Sequence, residues 1–268
     1  MNGIARITRQ FAQDKVFVAY LTLGDGGIER SLLAAKALIE GGVTLLEIGM
    51  PFSDPIADGL VIQHAATRSL QNGTTVHDVA WFVSELRNYT DIPLVLFSYL
   101  NPLLPVLNDA YLGELARVGL DGVLVVDCPL EEMRPFLPLF ERHALAPIFV
   151  IAPNTPLLRV RELNDKGAGF LYYACRRGVT GMHAQLPADF VNCITAIHHE
   201  VSLPVVAGFG IADRKAAAAV IQYTQGVVVG SLFVQAIADG YSDEQLCMLA
   251  RQINPIDRGE RCLNPITR

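Results

Sequence analysis

Short apolar runs alternate with longer helical stretches eight times along 268 residues, and no linker or shift in composition interrupts them. These two features predict one closed (β/α)8 TIM barrel with extra short helices, spanning residues 1–268 as a single domain. A third observation agrees: 51% of the residues are hydrophobic, as expected where parallel strands are buried on both faces.

The first strand is read over residues 16–22, followed by a Gly24-Asp25-Gly26-Gly27 turn and a helix over 28–40 whose leucines, alanines and isoleucine form the buried side. A strand over 43–49 leads through a loop, 50–60, to helices over 61–71 and 76–87. The third strand covers 93–99, a Pro-rich loop precedes a helix over 110–118, and the fourth strand covers 122–127. The second half continues with helix 134–143, strand 147–152, helix 156–165 and strand 169–175. Helix 188–199, strand 204–207, helix 214–223 and strand 226–229 follow, and short helices start at Ser231 and at Ser242, a candidate N-cap. Strict alternation implies right-handed crossovers and a parallel sheet, and eight units favour closure over an open sheet. The tail after Ile253 is polar, contains arginine and is expected to be partly disordered.

Composition removes several function classes. The longest apolar runs, such as 144–152, are far shorter than the roughly 20 residues a spanning helix needs. A net charge of -6 with no basic stripe argues against nucleic-acid binding. Residues 1–15 lack the apolar core of a signal peptide, so a cytoplasmic location is expected. The five cysteines are widely spaced without a CxxC, and the histidines show no HExxH spacing, so neither a zinc site nor a disulfide framework is indicated. The glycine turn after the first strand lacks the spacing of a nucleotide loop, and no GxSxG elbow occurs.

Barrel enzymes carry their reacting groups at the C-terminal strand ends. Glu47 is an acidic residue in the otherwise apolar second strand, and alternation points it to the same side as Leu45 and Gly49, into the barrel mouth. The structural alternative is a buried carboxylate paired with Arg or Lys; a raised pKa near an apolar mouth suits general acid–base work better. Asp54 and Asp58 follow in the next loop, where such residues often serve turns. Glycines after the seventh and eighth strands (Gly208, Gly210, Gly230) and a helix starting at Ser231 occupy the habitual phosphate position of this fold, with residues 176–181 as a further wall.

The segment LEIGMPFSDPIADG (residues 46–59) resembles the signature of the tryptophan synthase alpha subunit. Support comes from Thr22–Asp25, Tyr99–Pro102, Asp127–Pro129, Ala146–Phe149, 176–181, Gly208–Gly210 and Gly230-Ser231, in consistent order over roughly residues 3 to 250. The resemblance implies a lyase that cleaves indole-3-glycerol phosphate to indole and glyceraldehyde 3-phosphate. It implies Glu47 and Asp58 as catalytic residues, Tyr172 at the substrate, and Gly181, Gly210, Gly230 and Ser231 at the phosphate. Thr180, which also borders the substrate, and Asp127 are implied in ordering the active-site loops. No metal and no cofactor are expected in this chain; pyridoxal phosphate belongs to a beta-subunit partner, in an α2β2 assembly. Gly26, Tyr20, Arg177 and Leu60 depart from the family pattern and leave the acid–base pair intact.

Three other readings compete. Indole-glycerol-phosphate synthase needs lysine at its strand ends, whereas Lys15, Lys36, Lys166 and Lys215 fall in predicted loops or helices. A stand-alone indole-releasing lyase would carry the same residues. A weakly catalytic subunit that activates a beta partner fits less well, since Glu47 and Asp58 are both present.

Overall fold

The computed structural model describes residues 1–175, 186–208 and 210–256. The first element is a helix absent from the sequence reading, α1 (Gly3–Gln13), followed by β1 (Val16–Thr22), α2 (Ile28–Glu40) and β2 (Leu45–Gly49). Then come α3 (Leu60–Gln71), α4 (Asp78–Arg87), β3 (Leu94–Ser98), α5 (Leu100–Leu103), α6 (Asp109–Val118) and β4 (Gly122–Val125). The chain continues through α7 (Leu130–Met133), α8 (Leu137–His143), β5 (Ala146–Ile151), α9 (Leu157–Lys166), β6 (Leu171–Ala174) and α10 (Phe190–His198). It closes with β7 (Val205–Gly208), α11 (Arg214–Ile221), β8 (Gly226–Val229), α12 (Ser231–Ala238) and α13 (Asp243–Ile253).

The eight strands form a closed barrel in chain order, every pair parallel, with β8 returning to β1. All C-terminal strand ends therefore share one mouth. Strand residues divide by alternation. Val16, Val18, Tyr20, Leu45, Val95, Leu124, Ile148, Val206 and Val228 fill the interior, while Phe17, Ala19, Leu21, Leu46, Ile48 and Leu96 meet the helices.

Several boundaries differ from the sequence reading for local reasons. The helix expected over 134–143 starts later, at Leu137 (α8), and a separate short helix, α7 (Leu130–Met133), precedes it, with a break at 134–136. Pro135 and Pro138 explain the break, because proline lacks the N–H an interior turn requires, and Pro138 is tolerated in the first turn of α8. The fourth strand stops at Val125, short of Asp127. Predicted caps are realised at α13, where Ser242 and Gln245 form a reciprocal capping box.

Helix α1 closes the bottom of the barrel. Asn2 caps it by accepting from the Ala5 amide at 2.9 Å, and Ile7, fully buried, joins the interior cluster beside Phe170 and Ala146. Arg6 pairs with buried Asp121 just before β4. Asp121 also takes Arg87 of α4 at 2.8 Å and the Leu94 amide at 2.7 Å. Burial raises the Asp121 carboxyl, and the two guanidiniums and the amide pull it back.

Candidate active site

Inward positions of neighbouring strands meet in register at the mouth. Tyr20 of β1 is the ladder partner of Glu47 on β2, Thr22 is the partner of Gly49, and Gly49 is in turn the partner of Phe97 on β3. Glu47 is 1% exposed, and neither carboxylate oxygen has a hydrogen-bond partner among the described residues. Among the described residues, the pairing with Arg or Lys considered from sequence does not occur. Desolvation alone pushes the Glu47 carboxyl up to about 8, because the interior disfavours its charged form. At neutral pH it holds a proton that it can deliver.

Asp58 lies in the loop between β2 and α3 and is also buried. A local turn, with the Asp58 amide on the Pro55 carbonyl at 3.0 Å, sets its backbone, and Gln63 donates to its carbonyl at 2.7 Å. The Tyr99 hydroxyl donates to Asp58 Oδ2 at 2.8 Å and accepts from the Ala57 amide at 3.0 Å. Burial lifts the Asp58 carboxyl to about 6, against the lowering effect of that phenolic hydrogen bond. The two carboxyls thus titrate in different ranges. Asp54 takes the local role expected of it, its carbonyl accepting from Ile56 and its carboxylate from Ser53.

An aromatic belt surrounds Glu47. Tyr20 and Phe97 meet edge to face at 5.4 Å between centroids, and Phe97 and Tyr172 at 6.3 Å. The Tyr20 ring crosses β2 at Gly49, where an added Cβ would collide with its hydroxyl and ring, so only glycine admits this packing. Tyr172 of β6 projects to the same mouth, and burial together with the nearby Glu47 holds its phenol well above the usual tyrosine range. Phe52 packs against Tyr99 with its ring tilted by 37°, at 5.3 Å between centroids.

Gly210 follows β7, and Gly230 and Ser231 join β8 to α12, so all three stand at the mouth that holds Glu47. Ser231 is the first residue of α12, whose N-terminus offers the dipole an anion requires. Asp127 accepts from the Leu100 amide at 2.7 Å, tying the end of β4 to α5. The expected residues Thr180 and Gly181, the Arg177 departure, Phe209 and most of the C-terminal tail lie outside the described residues. Tyr99 and Phe97 carry roles that the sequence reading did not assign. For Tyr99 the only signal was its position at the end of β3, inside a stretch quoted for the resemblance.

The loops at the mouth are more buried than an apolar docking surface requires throughout. Pro51 and Leu103 are buried and Phe52 is half-buried, whereas Ile56, Leu60 and Leu104 are 77%, 69% and 51% exposed. The Gly26 departure, where the family pattern often has proline, has a backbone cause: its φ of 77° is closed to proline, which is fixed near -65°. No lysine lies on a strand among the described residues. Among them, no group of three or more His, Cys, Asp or Glu could hold a metal ion, and no helix is long and apolar enough to cross a membrane.

Comparison with known proteins agrees with this geometry. The family described as "Tryptophan synthase alpha chain" matches residues 8–258. A tryptophan synthase alpha chain of Coxiella burnetii (strain Dugway 5J108-111) is 48% identical over 260 residues, covering 97% of each chain. That of Chlamydia caviae is 43% identical over 254 residues, 93% of this chain and 98% of its own. The Mycobacterium tuberculosis tryptophan synthase structure superposes with a TM-score of 0.86 at 29% identity, over 92% of this chain and 96% of the other. A tryptophan synthase complex from Pyrococcus furiosus gives 0.82 at 31% identity, over 90% and 98%. By fold, by the residues gathered at the mouth and by these matches, the chain belongs to the tryptophan synthase alpha chain family.

Proposed function

We propose that Glu47 and Asp58 are the acid–base pair of this chain and that Gly210, Gly230 and Ser231, with Gly181, hold the substrate phosphate. As a tryptophan synthase alpha chain it is a carbon–carbon lyase of tryptophan biosynthesis, cleaving indole-3-glycerol phosphate to indole and glyceraldehyde 3-phosphate. The observation that carries the assignment is Glu47: buried, without a hydrogen-bond partner among the described residues, and raised to about 8.

Glu47 gives its proton to indole C3, which leaves a cation centred on the indole nitrogen. The resulting carboxylate then takes the proton of the carbinol hydroxyl next to the ring. As the aldehyde forms, the electrons of the breaking carbon–carbon bond return to the ring and restore indole. Asp58, oriented by Tyr99, accepts from the indole N–H and stabilises the developing charge. Tyr172 lines the ring, and Asp127 and Thr180 order the loops around it. No organic cofactor or metal takes part in these steps, and the chain acts as one domain in the cytoplasm.

The partner is a pyridoxal-phosphate beta subunit in an α2β2 assembly, docked on the active-site face. Exposed Ile56, Leu60 and Leu104 at the mouth support this, since apolar side chains clustered near a reaction site suit a partner that receives apolar indole. Titration with the beta subunit, followed by particle mass and indole release, tests the reading. A heteromeric mass with accelerated cleavage is expected; unchanged mass and unchanged rate at high partner concentration would leave a stand-alone lyase.

A further inference from the structure

We propose that the Tyr20 and Thr22 hydroxyls of β1 bind the second hydroxyl of the substrate chain, the one carried unchanged into glyceraldehyde 3-phosphate. The proposal rests on the reading of Glu47 as the acid–base residue and adds a specificity-determining wall beside it.

Thr22 is 2% exposed, and its Oγ1 is buried without a hydrogen-bond partner among the described residues. A buried hydroxyl left unbonded destabilises a fold, so its retention calls for a partner supplied from outside. Apart from it, only the two carboxylate oxygens of Glu47 share this condition among the described residues. Thr22 and Glu47 face inward from adjacent strands, and the space above the Thr22 ladder partner, Gly49, which has no side chain, is taken by the ring and hydroxyl of Tyr20. The three unbonded oxygens thus line one side of the same mouth.

Tyr20 supplies the second hydroxyl. It stands one inward position below Thr22 and opposite Glu47, and its ring crosses Gly49 to reach Phe97. Burial and the neighbouring Asp58, Tyr99 and Glu47 hold its phenol well above the usual tyrosine range, against the lowering effect of a hydrogen bond that the Thr22 hydroxyl beside it can form. Tyr99, by contrast, is already committed to Asp58 and the Ala57 amide, whereas the Tyr20 and Thr22 hydroxyls of this wall neighbour each other and bond to no other side chain among the described residues.

The substrate chain carries two vicinal hydroxyls. Glu47 takes the one on the carbon that breaks from the ring. Adjacent strands lie about 4.8 Å apart, so groups on β1 reach the neighbouring hydroxyl while Glu47 on β2 reaches the first. A secondary alcohol both donates and accepts, as do Tyr and Thr hydroxyls, so the wall can satisfy it whichever way its proton points. Phenylalanine and valine at these positions would preserve the shape and lose this recognition.

The test measures binding in a Glu47→Gln background, in which substrate is held without turnover. The probes are indole-3-glycerol phosphate and an analogue lacking only the second hydroxyl. Adding Tyr20→Phe or Thr22→Val should weaken substrate binding about three- to tenfold, the value of one neutral hydrogen bond. Binding of the deoxy analogue should stay within about twofold. With Glu47 intact, the same substitutions should raise KM and leave kcat nearly unchanged, and Thr22→Val should melt no lower than the parent. Equal losses for both probes, or no loss for either, would overturn the wall while leaving Glu47 in its role. A fall in kcat with unchanged KM would also overturn it. Persistent cleavage in Glu47→Gln would instead sink the underlying reading, and is recognised separately by indole release.

Discussion

Tyr20 stands opposite Glu47 in the β1–β2 ladder and lays its ring across Gly49 toward Phe97. This relationship brings an aromatic ring up to Glu47 on one side, with Tyr172 in the belt beyond Phe97 and no charged partner among the described residues. The raised pKa of Glu47 is therefore a product of the strand register, since burial is its sole cause.

The separation of the two carboxyls predicts a bell-shaped pH dependence. The proposed mechanism requires Glu47 protonated and Asp58 ionised, so kcat/KM should rise through about 6, where Asp58 ionises, and fall through about 8, where Glu47 loses its proton. Tyr99→Phe removes the hydrogen bond that lowers Asp58 and should shift the acidic limb upward. A pH–rate profile of both proteins checks this; an unmoved limb would detach it from Asp58.

Stability should show the same groups from the other side. Both folded pKa values lie above their ordinary ones, 4.5 for Glu47 and 3.8 for Asp58. The folded protein thus binds more protons than the unfolded chain in between. This contribution is full at low pH and is lost as pH rises from about 4 to about 8. Compared with Glu47→Gln, the parent should lose on the order of 3 kcal/mol between pH 5 and 8, at about 1.4 kcal/mol per pKa unit. Denaturant unfolding across that range measures the difference.

At the opposite end of the barrel, Asp121 joins α1, α4 and β3 through Arg6, Arg87 and the Leu94 amide. Asp121→Ala leaves two largely buried guanidiniums without their anion and should cost about 3–5 kcal/mol. Substrate KM should stay close to the parent value wherever the variant remains folded, because this cluster is at the far end from the mouth.

Gly230 offers a cleaner test of the phosphate site. A Cβ there would meet Tyr20 at 3.4 Å, an ordinary contact, so Gly230→Ala should change stability by less than about 1 kcal/mol. If its bare backbone serves phosphate approach, KM should nevertheless rise several-fold. Unchanged KM would remove Gly230 from the site.

Much of this was readable before the structure. β1, α2 and β8 end where apolar alternation and glycine punctuation place them, and eight βα units did close. Helix α1 was not readable. Its apolar residues Ile4, Ile7 and Phe11 are few among polar ones, and their value appears only against Ala146 on β5 and Phe170 just before β6, both far along the chain. Proline inside 134–143 was visible, yet where the helix would break was not. Glu47 was legible because a lone acid inside an apolar strand is conspicuous. Tyr99 was not, because its role depends on a hydrogen bond to Asp58 across 41 positions of sequence.

The most direct test of the account is indole release from indole-3-glycerol phosphate by the parent and by Glu47→Gln, at pH 7 and with folding verified by melting. The amide fills the same space and cannot cycle a proton. The expected result is a correctly folded variant that binds substrate and releases indole at least about 1000-fold more slowly, within the range of a lost general acid–base group. A folded Glu47→Gln protein that cleaves at a near-parent rate would contradict it.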